Sequence, residues 1–293
     1  MAALPHGTGD PAHLRALAII PARLESKRLE KKMLLRAGRR ALFAHTAHNV
    51  LAAGAFARVI VATDSSEIAE EARREGLAAE LTDPAHASGS DRAAEVWRRL
   101  AAGGETADVI VNVQGDEPEI DPADLLALVR VFGDPIVEAA TLASPLLDPA
   151  EAALASVVKV VCDRHGDALY FSRAVIPARG HAPHSARGAS SDSAPKSVHR
   201  RHVGVYAYRP DALLRFCALP RGTLEQHESL EQLRWLEAGR KMRVVPASRA
   251  PQGIDTMHDF EQFAARLQGR GTEPRPAPGA RPDIHEQSQV LAG

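Results

Sequence analysis

Cysteine is scarce in this chain: Cys162 and Cys217 are the only two among 293 residues. Two thiols cannot build a disulfide framework or a cysteine metal site. Both sit among apolar neighbours, which reads as packed thiols in a reducing cytoplasm. An excess of either charge is also missing, since 36 Lys and Arg face 37 Asp and Glu for a formal net charge of -1. No global field therefore recruits nucleic acid. No apolar run approaches the roughly 20 residues that span a bilayer, which argues for a soluble protein without membrane insertion. Met1–Arg15 lacks the charged start and apolar centre of a signal peptide. No internal repeat is visible. Neither GxGxxG nor GxxxxGK[ST] follows the first predicted strand, which removes the dinucleotide and P-loop fingerprints and disfavours a nicotinamide oxidoreductase.

What is present centres on Val109–Ile120. Val109, Ile110, Val111 and Val113 form a short β-branched run that ends abruptly in Gln-Gly-Asp-Glu-Pro. Such a run reads as a strand buried on both faces of a parallel sheet. Ligands of open α/β sheets gather beyond the carboxyl ends of such strands. Gln114, Asp116 and Glu117 are thus placed where a polar ligand or metal would be held, and Gly115 would let the backbone approach that ligand. An ordinary acidic turn explains the same letters.

With 45% hydrophobic residues the chain can bury a large α/β core. Residues 1–15 read as a flexible leader. Ala16–Ile20 is the first strand, followed by a loop carrying Arg23, Lys27, Arg28, Lys31 and Lys32. The loop after β1 is the usual phosphate position of α/β folds, although a solvated basic loop reads equally well. A helix over Ala41–Ala53, a strand over Val59–Ala62 and a helix over Glu67–Glu75 follow, with Asp64 taken first as a helix cap. Ser88, Gly89, Ser90, Asp91 and Arg92 lead into a helix over Ala93–Leu100. Amides there could meet an anion or base edge, or be capped by Ser88, Ser90 or Asp91. Pro122–Phe132 completes a βαβαβα rhythm, the pattern of a doubly wound, mostly parallel Rossmann-like sheet.

After Ala140 the rhythm changes. Val157–Val161 and Ala168–Ser172 read as an antiparallel hairpin in a smaller subdomain spanning about 141–222, with a mobile loop over 178–198. Arg201–Tyr208 is a strand that places His202, Gly204 and Tyr206 on one face. One helix is predicted over Leu224–Ala238, with Glu231 and Gln232 on a solvated face. Val244-Val245 is a last short strand. Asp255 or Thr256 is a possible cap for a helix over His258–Leu267. Residues 16–267 form the main domain, and 268–293 read as a disordered tail.

Several stretches match one family in order. They are Ile20-Pro21-Ala22-Arg23 with Ser26–Leu34, Val61-Ala62-Thr63-Asp64, His86–Arg92 and Val111–Pro118. Ala168–Arg173, Arg201–Tyr206, Leu230–Arg234 and Gly253–Thr256 continue the match. In this order they make the chain resemble the 3-deoxy-D-manno-octulosonate (KDO) cytidylyltransferases, or CMP-KDO synthetases. The resemblance covers roughly residues 17–265 and implies a nucleotidyltransferase that joins KDO to CTP, giving CMP-KDO and pyrophosphate for lipopolysaccharide synthesis. It implies Mg2+ on Asp116 and Asp255, and Arg23, Arg28 and Lys32 on the triphosphate. Ala22, Ser88, Gly89 and Arg92 would surround cytosine and ribose, with Asp116 also facing the nucleotide. Gln114, Arg173, His202, Tyr206, Glu231 and Gln232 would hold the sugar acid, Arg173 against its carboxylate. Asp116, Asp255, Lys32 and Arg28 are the residues implied in catalysis. A homodimer is implied, with its interface sought in the hairpin region.

The chain departs from the family in the first loop. Arg28-Leu29-Glu30-Lys31-Lys32 stands where Arg-Leu-Pro-Gly-Lys is usual, and Lys31 is expected to offset Glu30. Ala87 stands where the family often has Gln. A cytidylyltransferase for 8-amino-KDO or sialic acid, and a non-catalytic nucleotide or sugar binder, are the alternatives. The Leu-Glu-Gln-Leu-Arg and Phe-Ser-Arg elements weigh against sialic acid.

Overall fold

A computed structural model describes residues 14–26, 28–146, 148–178, 199–249 and 251–270. Nearly all of the expected 1–15 leader, 178–198 loop and 268–293 tail lies outside them. The strands are β1 (Ala16–Pro21), β2 (Arg36–Ala37), β3 (Arg40–Ala41), β4 (Arg58–Thr63), β5 (Ala78–Leu81), β6 (Val109–Asn112), β7 (Ala139–Pro145), β8 (Lys159–Cys162), β9 (Ala168–Ser172), β10 (Arg200–Tyr208) and β11 (Arg243–Pro246). The helices are α1 (Leu42–Ala52), α2 (Ser66–Arg74), α3 (Gly89–Ala102), α4 (Pro122–Arg130), α5 (Pro149–Ala152), α6 (Pro210–Ala218), α7 (Thr223–Glu228), α8 (Leu233–Glu237) and α9 (Met257–Arg270).

All six residues of β1 are buried, as expected for a strand covered on both faces. Its alternation divides the core. Ala16, Ala18 and Ile20 pack with Phe43, Ala47 and Val50 of α1 and Leu125 of α4. Leu17 and Ile19 face Ala93 and Trp97 of α3, with Phe216 of α6 in the same cluster. The central sheet runs β11-β7-β10-β6-β1-β4-β5, with β8 and β9 hung from β10. β1 pairs in parallel with β4 on one side and β6 on the other. The chain thus winds outward through β4 and β5, then returns to the opposite side of β1. The reversal opens a crevice beyond the carboxyl ends of β1 and β6.

The region after Ala140 is divided between two arrangements. β7 and β10 continue the central sheet, β10 antiparallel to both β6 and β7. The β8–β9 hairpin branches from it through a single antiparallel pairing, Arg201 with Lys159. The single helix expected over Leu224–Ala238 is instead α7 and α8, broken where Ser229 takes a left-handed φ of 54°. A buried pair ties the fragments together: Arg234 donates to both oxygens of Glu225, at 2.7 and 2.6 Å. The break turns Glu231 and Gln232 inward, away from the solvated face of the single-helix pattern and as the family resemblance implies; Gln232 is only 2% exposed. Among the described residues no helix is long and apolar enough to cross a membrane.

Candidate functional site

The crevice is a cavity of 780 Å³ whose walls include Arg23, Arg28, Lys32, Gly89, Gln114, Asp116 and Asp255. That volume suits a nucleotide-sized ligand. Two loops build it from opposite sides of the switch. The loop after β1 ends in a 3-10 turn, Lys32–Leu34, which buries the Lys32 stem at 7% exposure. The loop after β6 must pass tightly across β1, because a Cβ at Gly115 would lie 2.9 Å from the Pro21 carbonyl oxygen. Gly115 therefore serves backbone against backbone, not backbone against ligand. Its amide donates to that same oxygen at 3.2 Å.

Lys32 organises the floor. Its Nζ donates to Asp116 Oδ2 at 2.5 Å and to the Ile254 carbonyl at 2.9 Å, and lies 3.6 Å from Asp255 Oδ1. Arg28 donates to the other oxygen of Asp255 at 3.0 Å, in an exposed pair. Asp255 arrives from far along the chain through the segment before α9, where the Ile254 amide donates to the Asp116 carbonyl at 3.0 Å. It does not cap that helix. Thr256 does, in a reciprocal box: Asp259 N donates to Thr256 Oγ1 at 3.2 Å and Thr256 N to Asp259 Oδ2 at 2.8 Å. The Asp255 side chain is thereby left to the site.

Glu117, next to Asp116, has its carboxyl pushed up to about 8, first by burial and then by the negative charge of Asp116. Among the described residues no group of three or more His, Cys, Asp or Glu side chains could hold a metal. Two carboxylates sharing one ammonium are nevertheless a suitable donor set for a hard cation that takes its remaining ligands from phosphate and water.

The other nucleotide-side expectations divide. Gly89 lies against Gln114 in the cavity wall, where an added Cβ would sit 3.1 Å from Gln114 Nε2. Ala22 is fully buried and its amide donates to the Ala62 carbonyl at 2.9 Å. Ser88 caps α3, accepting from the Asp91 amide at 3.1 Å, and faces a neighbouring 490 Å³ cavity. Arg92 has no exposed surface in the fold but belongs to the wall of the same cavity as Gly89 and Gln114. Its guanidinium donates to Thr82 Oγ1 and, at 3.0 Å, to Asp64 Oδ2. Asp64 also accepts from the Leu24 amide at 3.1 Å, so it fastens the first loop instead of capping α2. Ser65 takes the cap, accepting from the Ile68 amide at 3.4 Å.

Four of the sugar-side residues converge. Tyr206 donates to Gln232 Oε1 at 3.0 Å, and Ser90 donates to Glu231 Oε2 at 3.2 Å. The His202 ring packs on Tyr206 with centroids 5.5 Å apart, and its Nε2 lies 2.9 Å from Thr141 Oγ1. The Thr141 hydroxyl has the Val205 carbonyl at 2.8 Å to donate to, so Nε2 is the donating ring nitrogen. Burial holds that imidazole at about 3. Burial likewise raises the Glu231 carboxyl. Arg173 stands apart. Its guanidinium donates to the carbonyls of Glu228 and Ala155, at 2.8 and 3.0 Å, and its amide to Glu228 Oε2 at 2.9 Å. It clamps the β9 end to the α7 end.

Sequence reading passed over Ser90 and Asn112 as site residues. The signal for Asn112 was a lone amide inside a β-branched strand, and the side chain is 1% exposed.

In the altered first loop, Lys31 takes φ 45°, the left-handed region, and its ammonium goes to Glu67 at 2.9 Å. It therefore does not offset Glu30, which is exposed. Left-handed backbone costs a side-chain-bearing residue about 1–2 kcal/mol. Glycine relieves that but loses roughly 0.5–1 kcal/mol of chain entropy. The exposed ion pair is worth only a few tenths of a kcal/mol. Lys31→Gly is thus expected to stabilise by up to about 1 kcal/mol, and Lys31→Val to destabilise by a similar amount. Chemical denaturation of the two variants reads the difference; no gap between them would mean the loop carries no strain.

A strand-ordered crevice with acids and a lysine at its floor, on a doubly wound sheet, defines a nucleotidyltransferase. The comparisons with known proteins agree. A cytidylyltransferase family model matches residues 17–242. A 3-deoxy-manno-octulosonate cytidylyltransferase of Anaeromyxobacter sp. is 46% identical over 253 residues, covering 86% of this chain and 97% of the relative. The protein of the same description from Syntrophotalea carbinolica is 43% identical, covering 86% and 98%. A solved CMP:2-keto-3-deoxy-manno-octonic acid synthetase complexed with CTP superposes with a TM-score of 0.77 at 37% identity, covering 87% of this chain and 99% of that one. The chain belongs to the cytidylyltransferase family, in its 3-deoxy-manno-octulosonate branch.

Proposed function

We propose that the chain transfers the cytidylyl group of CTP to KDO, releasing pyrophosphate, with Mg2+ held by Asp116 and Asp255. The anomeric hydroxyl of the sugar attacks the α-phosphorus of CTP, the bond to the β-phosphate oxygen breaks, and pyrophosphate departs. Positioning and charge neutralisation supply most of the rate in such transfers. Magnesium would neutralise charge on the phosphates and align them. Lys32 supplies a fixed positive charge between the two acids, and Arg23 and Arg28 bring two more to the same cavity. Gln114 faces this cavity too, and Glu231 lines the neighbouring one. Tyr206 and Gln232, hydrogen-bonded to each other, with His202 packed on Tyr206, are the groups proposed to hold the sugar hydroxyls. The observation that carries the reading is Lys32 Nζ set between Asp116 and Asp255, at 2.5 and 3.6 Å, beyond the ends of β1 and β6.

A CTP-dependent reaction and two free thiols suit a cytoplasmic enzyme. A homodimer through the β8–β9 hairpin is supported by exposed Leu169 (62%), Leu154 (51%) and Val175 (43%). The outer edge of β9 also carries no strand among the described residues. Leu169→Glu is expected to shift sedimentation toward monomer; equal sedimentation of variant and wild type would place the interface elsewhere.

The activity itself is tested by pyrophosphate release with CTP and magnesium against KDO, 8-amino-KDO and sialic acid. KDO should be turned over fastest. A preference for either of the others would replace KDO as the substrate, and CTP binding without turnover on any of the three would leave a binder.

A further inference from the structure

The polar residues around Tyr206 end in unpaired atoms. Asn112 lies opposite Tyr206 in the β6–β10 register. Its Nδ2 donates to Ser90 Oγ at 3.4 Å, and Ser90 Oγ donates onward to Glu231 Oε2 at 3.2 Å. Tyr206 reaches the adjacent Gln232 through Oε1 at 3.0 Å. One connected cluster thus spans β6, α3, β10 and the turn before α8. Three of its buried atoms have no hydrogen-bond partner among the described residues: Asn112 Oδ1, Glu231 Oε1 and Gln232 Nε2. Rotating the Asn112 amide by half a turn exchanges which of its atoms is unpaired and does not remove the deficit.

Buried polar groups left unpaired are costly, and several within one cluster mark a place that a ligand completes. The cluster offers two acceptors and one donor, so the ligand that completes it brings two donors and one acceptor. A sugar hydroxyl both donates and accepts, so a polyol satisfies all three, whereas an apolar or purely anionic group does not. Glu231 repels a second carboxylate when ionised, which favours the hydroxyl-bearing part of a sugar acid over its carboxyl.

We propose that Asn112, oriented by Ser90, accepts a hydrogen bond from a hydroxyl of the sugar acid and so helps set substrate specificity beside Glu231 and Gln232. This rests on the KDO reading above. Asn112 is a specificity residue for the sugar with no part in holding the nucleotide.

The test is steady-state kinetics of Asn112→Leu, with Asn112→Ala as the variant that only empties volume should leucine prevent folding. KM for KDO is expected to rise on the order of 10- to 100-fold, the loss of one hydrogen bond to a buried group. KM for CTP and the direct binding of CTP should stay within about twofold of wild type on the same scale. A merely structural role would weaken both substrates together. An unchanged KM for KDO, or an equal loss for CTP, overturns the proposal. Wild-type protein in the same assay keeps the two readings apart. Wild type inactive on KDO removes the substrate assignment and this inference with it. Active wild type beside an indifferent variant removes the role of Asn112 alone.

Discussion

Asp116→Asn and Asp255→Asn are each expected to lower kcat on the order of 10³-fold, the scale of losing a preorganised electrostatic contact to a transferring phosphoryl group. The two should act as a unit, so the double variant falls little below either single one. Asparagine keeps the shape of the floor but withdraws a charge from Lys32, whose stem is 7% exposed and whose nearest acid is Asp116. CTP binding should fall much less than turnover, since both arginines of the cavity, Arg23 and Arg28, remain in place, and Asp255→Asn removes only the exposed partner of Arg28. Single-turnover measurement at saturating CTP separates the effects. Near wild-type turnover in either variant would take that carboxylate out of the reaction.

The second large effect is on stability in acid. His202 is held neutral by burial, its folded value at about 3 against 6.5 in the open chain. Phe171, Tyr206 and Thr141 are its contacts, and none carries charge. A depressed folded value means that the unfolded chain takes up the proton first. The contribution of His202 is therefore complete above pH 6.5 and is lost as pH falls through the window from 6.5 toward 3. After allowance for partial solvent access, the loss should amount to roughly 2–4 kcal/mol by the bottom of that window. His202→Gln keeps a donor for Thr141 and cannot titrate. Its stability should fall less steeply than that of wild type between neutral and acid pH. Parallel curves would show that the imidazole charges freely in the fold.

How far the site could be read from the residues alone depended on which forces placed each part. β1 is apolar throughout, β6 is mostly β-branched and neither carries charge, and burial on both faces leaves little choice for such runs, so the crevice between them was legible. The acidic turn at Gln114–Pro118 and the basic loop at Arg23–Lys32 follow directly from strand ends. β7 was not, because Ala-Ala-Thr-Leu-Ala-Ser-Pro has weak strand propensity and is held by pairing with β10 and β11. From the residues alone either Asp255 or Thr256 could cap the helix; the Thr256–Asp259 box in three dimensions settles the cap on Thr256 and frees Asp255, the residue the family resemblance places on the metal. Arg92 was expected beside the cytosine and ribose, and its pairing with Asp64, 28 positions earlier, is a tertiary fact that no local pattern announces. The break at Ser229 is equally silent, since leucine spacing across 224–238 satisfies one helix as well as two. Inward rotation of Glu231 and Gln232 follows from that break. Asn112 was the clearest missed clue: an amide within a fully buried strand has to be satisfied by something.

The central claim is transfer of the cytidylyl group within the β1–β6 crevice. Phosphorus NMR of CTP with magnesium and the protein, with and without KDO, tests it most directly. The account predicts no change without the sugar. With it, pyrophosphate should appear in step with a new phosphodiester that joins cytidine to the anomeric oxygen. CTP consumed equally without KDO, or split to CDP and inorganic phosphate, would contradict it.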